Sequence, residues 1–321
     1  MKPTLRLVGD IGGTNARFAL AHRGDLIENS FASLHTDAHA SLPDAIRHYL
    51  NLIRHDDGTI TDVRIAIAGP VGGDAIAMTN ANWHFSIRAV NDELRAQALP
   101  QLQSFKVIND FAAQALALPH LLPAQVINIG GIAAQGGSKT VLGPGTGFGA
   151  ACIAPHGGEF VVLPSEGGHA GLAPETTQEL AVFKWLLDRQ LPITRETLLS
   201  GPGLERLHRA LADISGHTTS TLAAADIVNS ALAGDPFGRA TLAQFCLLLG
   251  TAARDQALSC GTRGGVYIGG GIVLHFTDFF IGSDFRQRFE TSSLMADYLH
   301  AIPTYLINTP NTGLIGAAHA D

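Results

Sequence analysis

The sequence has few cysteines, few charges and no long apolar run, and each shortage excludes a class of protein. Its three cysteines lie far apart without a Cys-x-x-Cys pair, which argues against a disulfide framework and a structural zinc site. No uncharged apolar stretch reaches the ~18 residues that a membrane span requires. The net charge of -7 comes without a run of Lys or Arg, so a surface for nucleic acid or an anionic membrane is missing. We therefore expect a cytoplasmic protein that binds a small molecule, with no nucleic-acid or membrane partner.

Apolar residues, in contrast, are abundant. Of the 321 residues, 46% are hydrophobic and only 15% are charged, which allows a large buried core and argues against a disordered chain. At ~100 to 200 residues per domain, this length predicts two domains.

A glycine-rich turn follows the first apolar run, Leu5 to Val8. The turn, Gly9 to Thr14, leads into a second apolar run, and the pattern predicts a β-hairpin. Its glycines let the backbone N–H groups approach a phosphate, Thr14 adds a hydroxyl, and Asp10 adds a carboxylate suited to a hydrated cation. A tight hairpin whose glycines serve only positive φ angles explains the same residues, so this turn alone leaves both interpretations open.

The order of predicted elements recurs in the second half of the chain. Thr140 to Cys152 is again a strand, a glycine and threonine turn, and a strand. Gly265 to Gly271 matches the earlier strand that ends at Gly69, and Thr304 to Ala318 matches the strand and helix around Asn109 and Asp110. Chance similarity of two glycine-rich hairpins is the competing explanation, but the ordered later matches favour an internal repeat.

The repeat predicts two α/β domains, each a mixed sheet with helices, facing across a cleft. We expect a small domain at 1–110 plus about 310–321, and a large domain at 111–309. Ser86 predicts the start of a helix in the small domain. Caps at Thr176 and Asp235, together with helical periodicity, predict a helical insertion at about 174–260 inside the large domain. Phosphate-binding turns from both halves would then grip a nucleotide from two sides.

The ordered set of motifs resembles the bacterial glucokinases, within the superfamily of sugar kinases, actin and heat-shock chaperone ATPases. The resemblance implies duplicated actin-like ATPase (ribonuclease H-like) domains. Two features depart from what we expect of relatives: the chain closes at Asp321 soon after its last helix begins, and the Cys/His zinc cluster of the related repressor and kinase family is absent. The motifs that carry the resemblance are Val8 to Arg17, Ala77 to Asn80 with Trp83, Ile108 to Phe111, Gly143 to Gly149, Glu166 to His169, Leu199 to Leu204, Gly265 to Ile272 and Gly313 to Gly316.

For the nucleotide, the resemblance implies that ATP and Mg²⁺ bind at the glycine-rich turns, with Asp10 holding the magnesium through water. Gly269, Gly270 and Gly271 lie where the adenine would rest, although tight packing between a strand and a helix also explains these three glycines. The nucleotide-binding residues implied are Gly9, Asp10, Ile11, Gly12, Gly13, Thr14, Asn15, Gly145, Thr146, Gly147, Gly269, Gly270 and Gly271.

For the sugar, the resemblance implies glucose held by Asn109, Asp110, Glu166, His169 and Glu196, with Asp110 as the general base that activates the 6-hydroxyl. Taken alone, Asp110 suits a helix cap, His169 suits an ordinary loop histidine, and Glu196 suits a solvated helix position. The resulting prediction is an ATP-dependent glucokinase that forms a homodimer. A kinase for another hexose and a non-catalytic sugar sensor of the same fold are the alternatives.

Overall fold

The computed structural model describes residues 3–53, 58–78, 83–132, 136–217 and 221–321, and it divides into two compact units. The first unit comprises Met1–Leu121 and Thr309–Asp321, and the second is Leu122–Asn308. The first unit therefore extends past the expected boundary at residue 110, because the helix that starts there packs against the C-terminal helix of the same unit. Thr79 and Asn80, which belong to one of the motifs, lie outside the described residues.

Both units combine strands and helices. In chain order, the strands of the described ranges are β1 (Thr4–Ile11), β2 (Asn15–His22), β3 (Asp25–Leu26), β4 (Ala32–His35), β5 (Thr59–Ile67), β6 (Ala75–Ala77), β7 (His84–Ser86), β8 (Ser104–Asn109), β9 (Val126–Gly130), β10 (Lys139–Pro144), β11 (Phe148–His156), β12 (Glu159–Ser165), β13 (Val266–Ile268) and β14 (Thr304–Ile307). The α-helices there are α1 (Leu42–Ile53), α2 (Ile87–Gln97), α3 (Asp110–Ala117), α4 (Thr177–Leu187), α5 (Arg195–Leu198), α6 (Gly201–Ser215), α7 (Ala224–Leu232), α8 (Pro236–Ser259), α9 (Gly271–Leu274), α10 (Thr277–Ile281), α11 (Phe285–Glu290), α12 (Ala296–Ala301) and α13 (Thr312–Ala318). None of these helices combines the length and the hydropathy that crossing a membrane would need.

The first unit is built on a sheet of order β3-β2-β1-β5-β8, with β4 also paired to β2. The hairpin β1–β2 is antiparallel, whereas β1, β5 and β8 run parallel. Side chains alternate across the sheet, so Leu7 enters the core on one face while Val8 enters a second core on the other. Helix α13 covers that second face with Leu314 and Ala317, which fixes the C-terminal segment on the first unit.

The second unit repeats this arrangement in the sheet β12-β11-β10-β13-β14-β9. Hairpin β10–β11 is antiparallel, and β10, β13 and β14 run parallel, as β1, β5 and β8 do in the first unit. The predicted duplication is therefore confirmed at the level of strand order and direction. Strand β9 is an addition that the sequence did not predict, and it pairs antiparallel with β14 at the edge.

The segment between β3 and β4 is not extended. Strand β3 ends at Leu26, and a short 3-10 helix follows at Glu28–Ser30. The buried Ser30 hydroxyl accepts a hydrogen bond from the Leu20 backbone N–H at 2.8 Å and donates one to the Ile27 carbonyl at 2.6 Å. These bonds turn the chain before β4 begins.

The helical insertion has long α8 at its centre. Helices α4, α6, α7 and α11 all pack near it, and its residues are largely buried along its length, which explains its nearly continuous apolar sequence. The predicted caps are present: the Thr176 hydroxyl accepts from the Glu179 N–H, and the Asp235 carboxylate accepts from the Gly238 N–H.

Candidate active site

The first glycine-rich turn joins β1 to β2 and is held from outside by one threonine. Within the turn, the Gly12 N–H donates to the Asn15 carbonyl at 2.9 Å. The buried Thr36 donates its hydroxyl to the Gly13 carbonyl at 3.0 Å and its backbone N–H to the Thr14 carbonyl at 3.0 Å. These bonds fix the turn while the Thr14 side chain stays exposed. Sequence reasoning missed Thr36, because no motif links it to a turn some twenty residues earlier.

Gly9 and Ile11, at the end of β1, are placed by the core. A Cβ at Gly9 would lie 2.7 Å from the Ile65 side chain and 3.1 Å from that of Phe18, so its lack of a side chain serves packing. Ile11 is buried, which leaves only its backbone for a nucleotide. A role for either residue in binding ATP stays a prediction.

Asp10 lies at the end of β1, where its carboxylate faces the start of α13. A Cβ at Gly313 would lie 2.7 Å from the Asp10 carboxyl carbon, so a glycine is needed there for the helix to approach. The Arg17 guanidinium lies 3.8 Å from the carboxylate. Burial raises the pKa of Asp10, and the positive charge of Arg17 opposes this change in part.

Asn109 and Asp110 lie where β8 ends and α3 begins. Asn109 is the N-cap, because its side-chain oxygen accepts from the Ala112 N–H at 3.0 Å. One Asp110 oxygen accepts from the Phe111 N–H and from the Asn109 side-chain amide, both at 3.0 Å. Asn109, and not Asp110, is therefore the residue that caps α3. Asp110 is half-buried, and these two hydrogen bonds orient the carboxylate.

The second glycine-rich turn joins β10 to β11 and lies against α6. The Gly145 N–H donates to the Gly147 carbonyl at 2.8 Å, and the Gly201 N–H donates to the Gly145 carbonyl at 2.8 Å. Thr146 is exposed at the tip, as Thr14 is in the first turn. The structure therefore places an exposed threonine in the turn of an antiparallel hairpin in both units.

Glu196 contacts this second turn directly. It lies on the short helix α5, which Thr194 caps, and its Oε2 accepts from the Phe148 N–H at 2.9 Å. A Cβ at Gly147 would lie 2.6 Å from the same oxygen. Glu196 is consequently half-buried and bonded, not the solvated helix residue that its local sequence suggests.

The loop that carries Glu166 and His169 also meets Phe148. Both side chains are exposed, and the loop forms one turn of 3-10 helix at Gly167–His169. A Cβ at Gly168 would collide with the Phe148 carbonyl oxygen, so glycine permits the close approach. Phe148 thus donates its N–H to Glu196, while the loop packs against its carbonyl oxygen. The second unit therefore brings Glu196 and the loop of Glu166 and His169 to the same residue.

The glycines after β13 serve different purposes. The Gly269 N–H donates to the Leu142 carbonyl at 2.7 Å. Gly270 has a φ of +81°, and an added Cβ there would collide with the Pro144 carbonyl oxygen, so packing explains this glycine. An added Cβ at Gly271 would meet no atom within 4 Å, so Gly271 lies beside open space.

Comparison with known proteins identifies the family. A family model described as Glucokinase matches residues 7–321. The chain belongs to the glucokinase family. It is 42% identical to a glucokinase of Caulobacter sp. (strain K31), over 98% of this chain and 94% of that protein. The resemblance drawn from the motifs is thereby confirmed.

Solved structures of sugar kinases share the fold. A glucokinase from an Antarctic psychrotroph is 38% identical, with a TM-score of 0.88 over 98% of each chain. A ROK-family glucokinase from Streptomyces griseus, in complex with glucose and AMPPNP, has a TM-score of 0.63 at 18% identity over 98% of each chain. The chain therefore has the actin-like ATPase fold of the glucokinases, with two α/β domains.

Proposed function

We propose that this chain transfers the γ-phosphoryl group of ATP to the 6-hydroxyl of glucose, giving glucose 6-phosphate and ADP. Family membership over nearly the whole chain supports the reaction. The observation that carries the mechanism is the register of the first sheet: Ile67 pairs with Ile11 on one side and with Asn109 on the other. The first turn and Asp110 thus follow two strands that end at the same level, about 10 Å apart at ~4.8 Å per strand.

This separation suits a kinase, because ligands bind beyond the carboxyl ends of parallel strands. The turn would take the phosphates, and Asp110 would take the proton of the attacking hydroxyl as that oxygen bonds to phosphorus. The Asn109 amide and the Phe111 N–H already fix one Asp110 oxygen in place. Asp110 is therefore oriented before any sugar binds, which reduces the entropy that catalysis must overcome.

Magnesium fits the residues of the first turn. Asp10 offers a hard carboxylate oxygen close to the partly exposed backbone of Gly12 and Gly13, and no group of three His, Cys, Asp or Glu side chains gathers anywhere in the described ranges. Such a site suits a cation held mostly by phosphates and water, with Asp10 acting through a water molecule. When bound, magnesium would neutralise charge on the transferring phosphate.

Glucose specificity would come from Asn109, Asp110, Glu166, His169 and Glu196, whose polar atoms suit several hydroxyls. A site that hydrogen-bonds a hydroxyl rejects an analogue without it by up to ~10⁴, whereas an apolar pocket discriminates by roughly 10². We expect galactose and mannose to be poor substrates because each inverts one hydroxyl. An N-acetyl group should also be excluded, since two glutamates and a histidine offer its methyl group no apolar niche.

A coupled assay with magnesium and ATP tests the proposal on glucose, mannose, galactose, fructose and N-acetylglucosamine. Glucose should give by far the highest kcat/KM. If another sugar equals or exceeds it, the chain is a kinase for that hexose. Binding of glucose by calorimetry without turnover of any sugar would instead indicate a sensor of the same fold.

A homodimer in the cytoplasm completes the proposal, and the family resemblance is what supports it. Light scattering on the purified chain measures its mass, and a monomer at micromolar concentration would contradict the dimer. Localisation of the tagged chain by fractionation tests the compartment.

A further inference from the structure

The three cysteines of the second unit have different surroundings. Cys246 is fully buried in α8, and burial raises its pKa to about 12. Cys152 is buried in β11, and Cys260, which directly follows α8, is partly exposed. Cys246 is therefore inert, whereas Cys260 is a partly exposed residue.

Several hydrogen bonds bring Cys260 to Cys152. Thr140 on β10 pairs across the sheet with Cys152, and its hydroxyl lies 2.6 Å from that of Thr262, two residues beyond Cys260. The Ser138 hydroxyl donates to the carbonyl of Gly261 at 2.7 Å. The end of α8 is thereby fastened beside β10 and β11, so Cys260 and Cys152 are close enough for each to influence the pKa of the other.

The charges around the pair favour a thiolate on Cys260. Interaction with the Cys152 thiol lowers the pKa of Cys260 most, and burial opposes this change in part. The Gln256 amide, 3.3 Å from the sulfur, and the positive charge of Arg195 lower the pKa further. Arg195 is buried, and its Nε has no hydrogen-bond partner within the described ranges. The same pairing raises the pKa of Cys152, which keeps its proton.

Gln256 connects this pair to the loop that carries Glu166 and His169. Its side-chain oxygen accepts from Arg195 Nη1 at 2.5 Å, and the same nitrogen donates to the Gly167 carbonyl at 3.3 Å. Arg195 also precedes Glu196 on α5. The side chains of Gln256 and Arg195 therefore connect the Cys260 sulfur to the segments that carry Glu166, His169 and Glu196.

We propose that Cys260 and Cys152 form a peroxide-sensitive pair that closes to a disulfide and weakens glucose binding. The Cys260 thiolate attacks one oxygen of hydrogen peroxide, the O–O bond breaks, and hydroxide leaves, so that sulfur is oxidised to a sulfenic acid and the peroxide is reduced. The Cys152 sulfur then attacks the sulfenic sulfur, and its proton leaves with the hydroxide as water. Two thiols and one peroxide thus give one disulfide and two waters.

Disulfide formation removes the negative charge that faces Arg195 and pulls the sulfur away from Gln256. The loop anchored at the Gly167 carbonyl then shifts. We expect the KM for glucose to rise about fivefold or more, the low end of typical coupling between linked sites. The KM for ATP should change less. This effect on kinetics rests on the proposed function, whereas the disulfide itself does not.

The experiment treats the purified full chain with hydrogen peroxide and follows intact mass, free thiols and glucose kinetics. We expect a loss of two hydrogen atoms, two of three thiols blocked, a linked peptide of Cys152 and Cys260, and full reversal by dithiothreitol. Cys246→Ala is the matched control and should respond like the natural chain. Cys152→Ala and Cys260→Ser should each abolish the linked peptide and the rise in KM.

Three results would overturn the proposal. These are three free thiols after peroxide treatment, a linked peptide that includes Cys246, and a disulfide that leaves the KM for glucose unchanged in an active enzyme. If the chain phosphorylates no sugar but still forms the linked peptide, the proposed function fails while the disulfide stands. The effect of oxidation on the affinity for glucose is then measured by calorimetry, and an unchanged affinity would contradict the proposed weakening of glucose binding.

Discussion

The carboxylate of Glu196 accepts a hydrogen bond from the backbone N–H of Phe148 at 2.9 Å, at the end of the second glycine-rich turn. A residue assigned to the sugar by its motif therefore also holds the turn assigned to ATP. Only one of its oxygens makes this bond, which leaves the other for a ligand hydroxyl. In the proposed site, the one carboxylate of Glu196 would therefore contact both the sugar and the second glycine-rich turn.

Two substitutions separate these roles of Glu196. Glu196→Ala leaves the Phe148 N–H without its acceptor, a cost of about 1–3 kcal/mol, so we expect the KM values for ATP and glucose to rise together by about tenfold. Glu196→Gln keeps an acceptor oxygen, so its KM for ATP should stay near the natural value while that for glucose rises. Steady-state kinetics in both substrates measure this. An alanine variant impaired for glucose alone would show that the Phe148 bond does not hold the turn.

Gly270 and Gly271 form a matched pair, because only one lacks room for a side chain. Gly270→Ala would place a Cβ against the Pro144 carbonyl in a backbone conformation that disfavours alanine, with a φ of +81°. We expect a clear fall in melting temperature and a higher KM for ATP. Gly271→Ala meets open space and should fold normally. Thermal denaturation compares the two, and equal stabilities would contradict the packing role of Gly270.

Replacement of Asp110 tests the general base. Asp110→Asn preserves the shape and an oxygen for the Phe111 N–H, yet it cannot accept the substrate proton. We expect kcat to fall by about 10² to 10⁴ while the melting temperature changes little. Asn109→Ala should instead destabilise the protein by about 1 kcal/mol, since it removes the N-cap of α3. Retention of more than a tenth of natural turnover by Asp110→Asn would exclude Asp110 as the base.

Asp10 offers a test of stability against pH. Burial raises its pKa, so the folded state binds the proton more tightly than the unfolded state, and ionisation of Asp10 subtracts from the free energy of unfolding as pH rises. Asp10→Asn should therefore be more stable than the natural protein at neutral pH. This advantage should disappear below about pH 4, where the natural Asp10 is protonated in both states.

The kinase activity of Asp10→Asn should fall although its stability rises. Asp10→Asn removes the charge proposed to hold magnesium through water, so the requirement for magnesium should increase while stability improves. Urea denaturation at several pH values and magnesium titrations of activity measure the two effects. A variant that loses stability at neutral pH would contradict the burial argument.

The sequence predicted the parts of the fold that depend on local pattern. Glycine and threonine spacing located both turns, and Ser86, Thr176 and Asp235 marked helix starts that the structure confirms. The short strand β9 was missed because its half-buried residues show neither a long apolar run nor clear alternation.

Contacts between distant residues could not be predicted in the same way. The bond of Glu196 to Phe148 spans 48 positions, and nothing in either local pattern points to the other. The hydrogen bond from Thr36 to the first turn, and the bonds that link Gln256 through Arg195 to Gly167, also join residues that are distant in sequence. Their geometry depends on how helices and strands pack, which periodicity does not specify.

The first unit is built from two segments at opposite ends of the chain, and this affects how it folds during synthesis. Its second core needs Leu314 and Ala317 from α13, and Arg6 and Arg64 donate hydrogen bonds to the Ala320 carbonyl at 2.7 and 3.2 Å. All the residues of the second unit leave the ribosome before α13 does. The unit that begins first must therefore finish last, and until then the apolar face of its nascent sheet around Val8 stays open to chaperones.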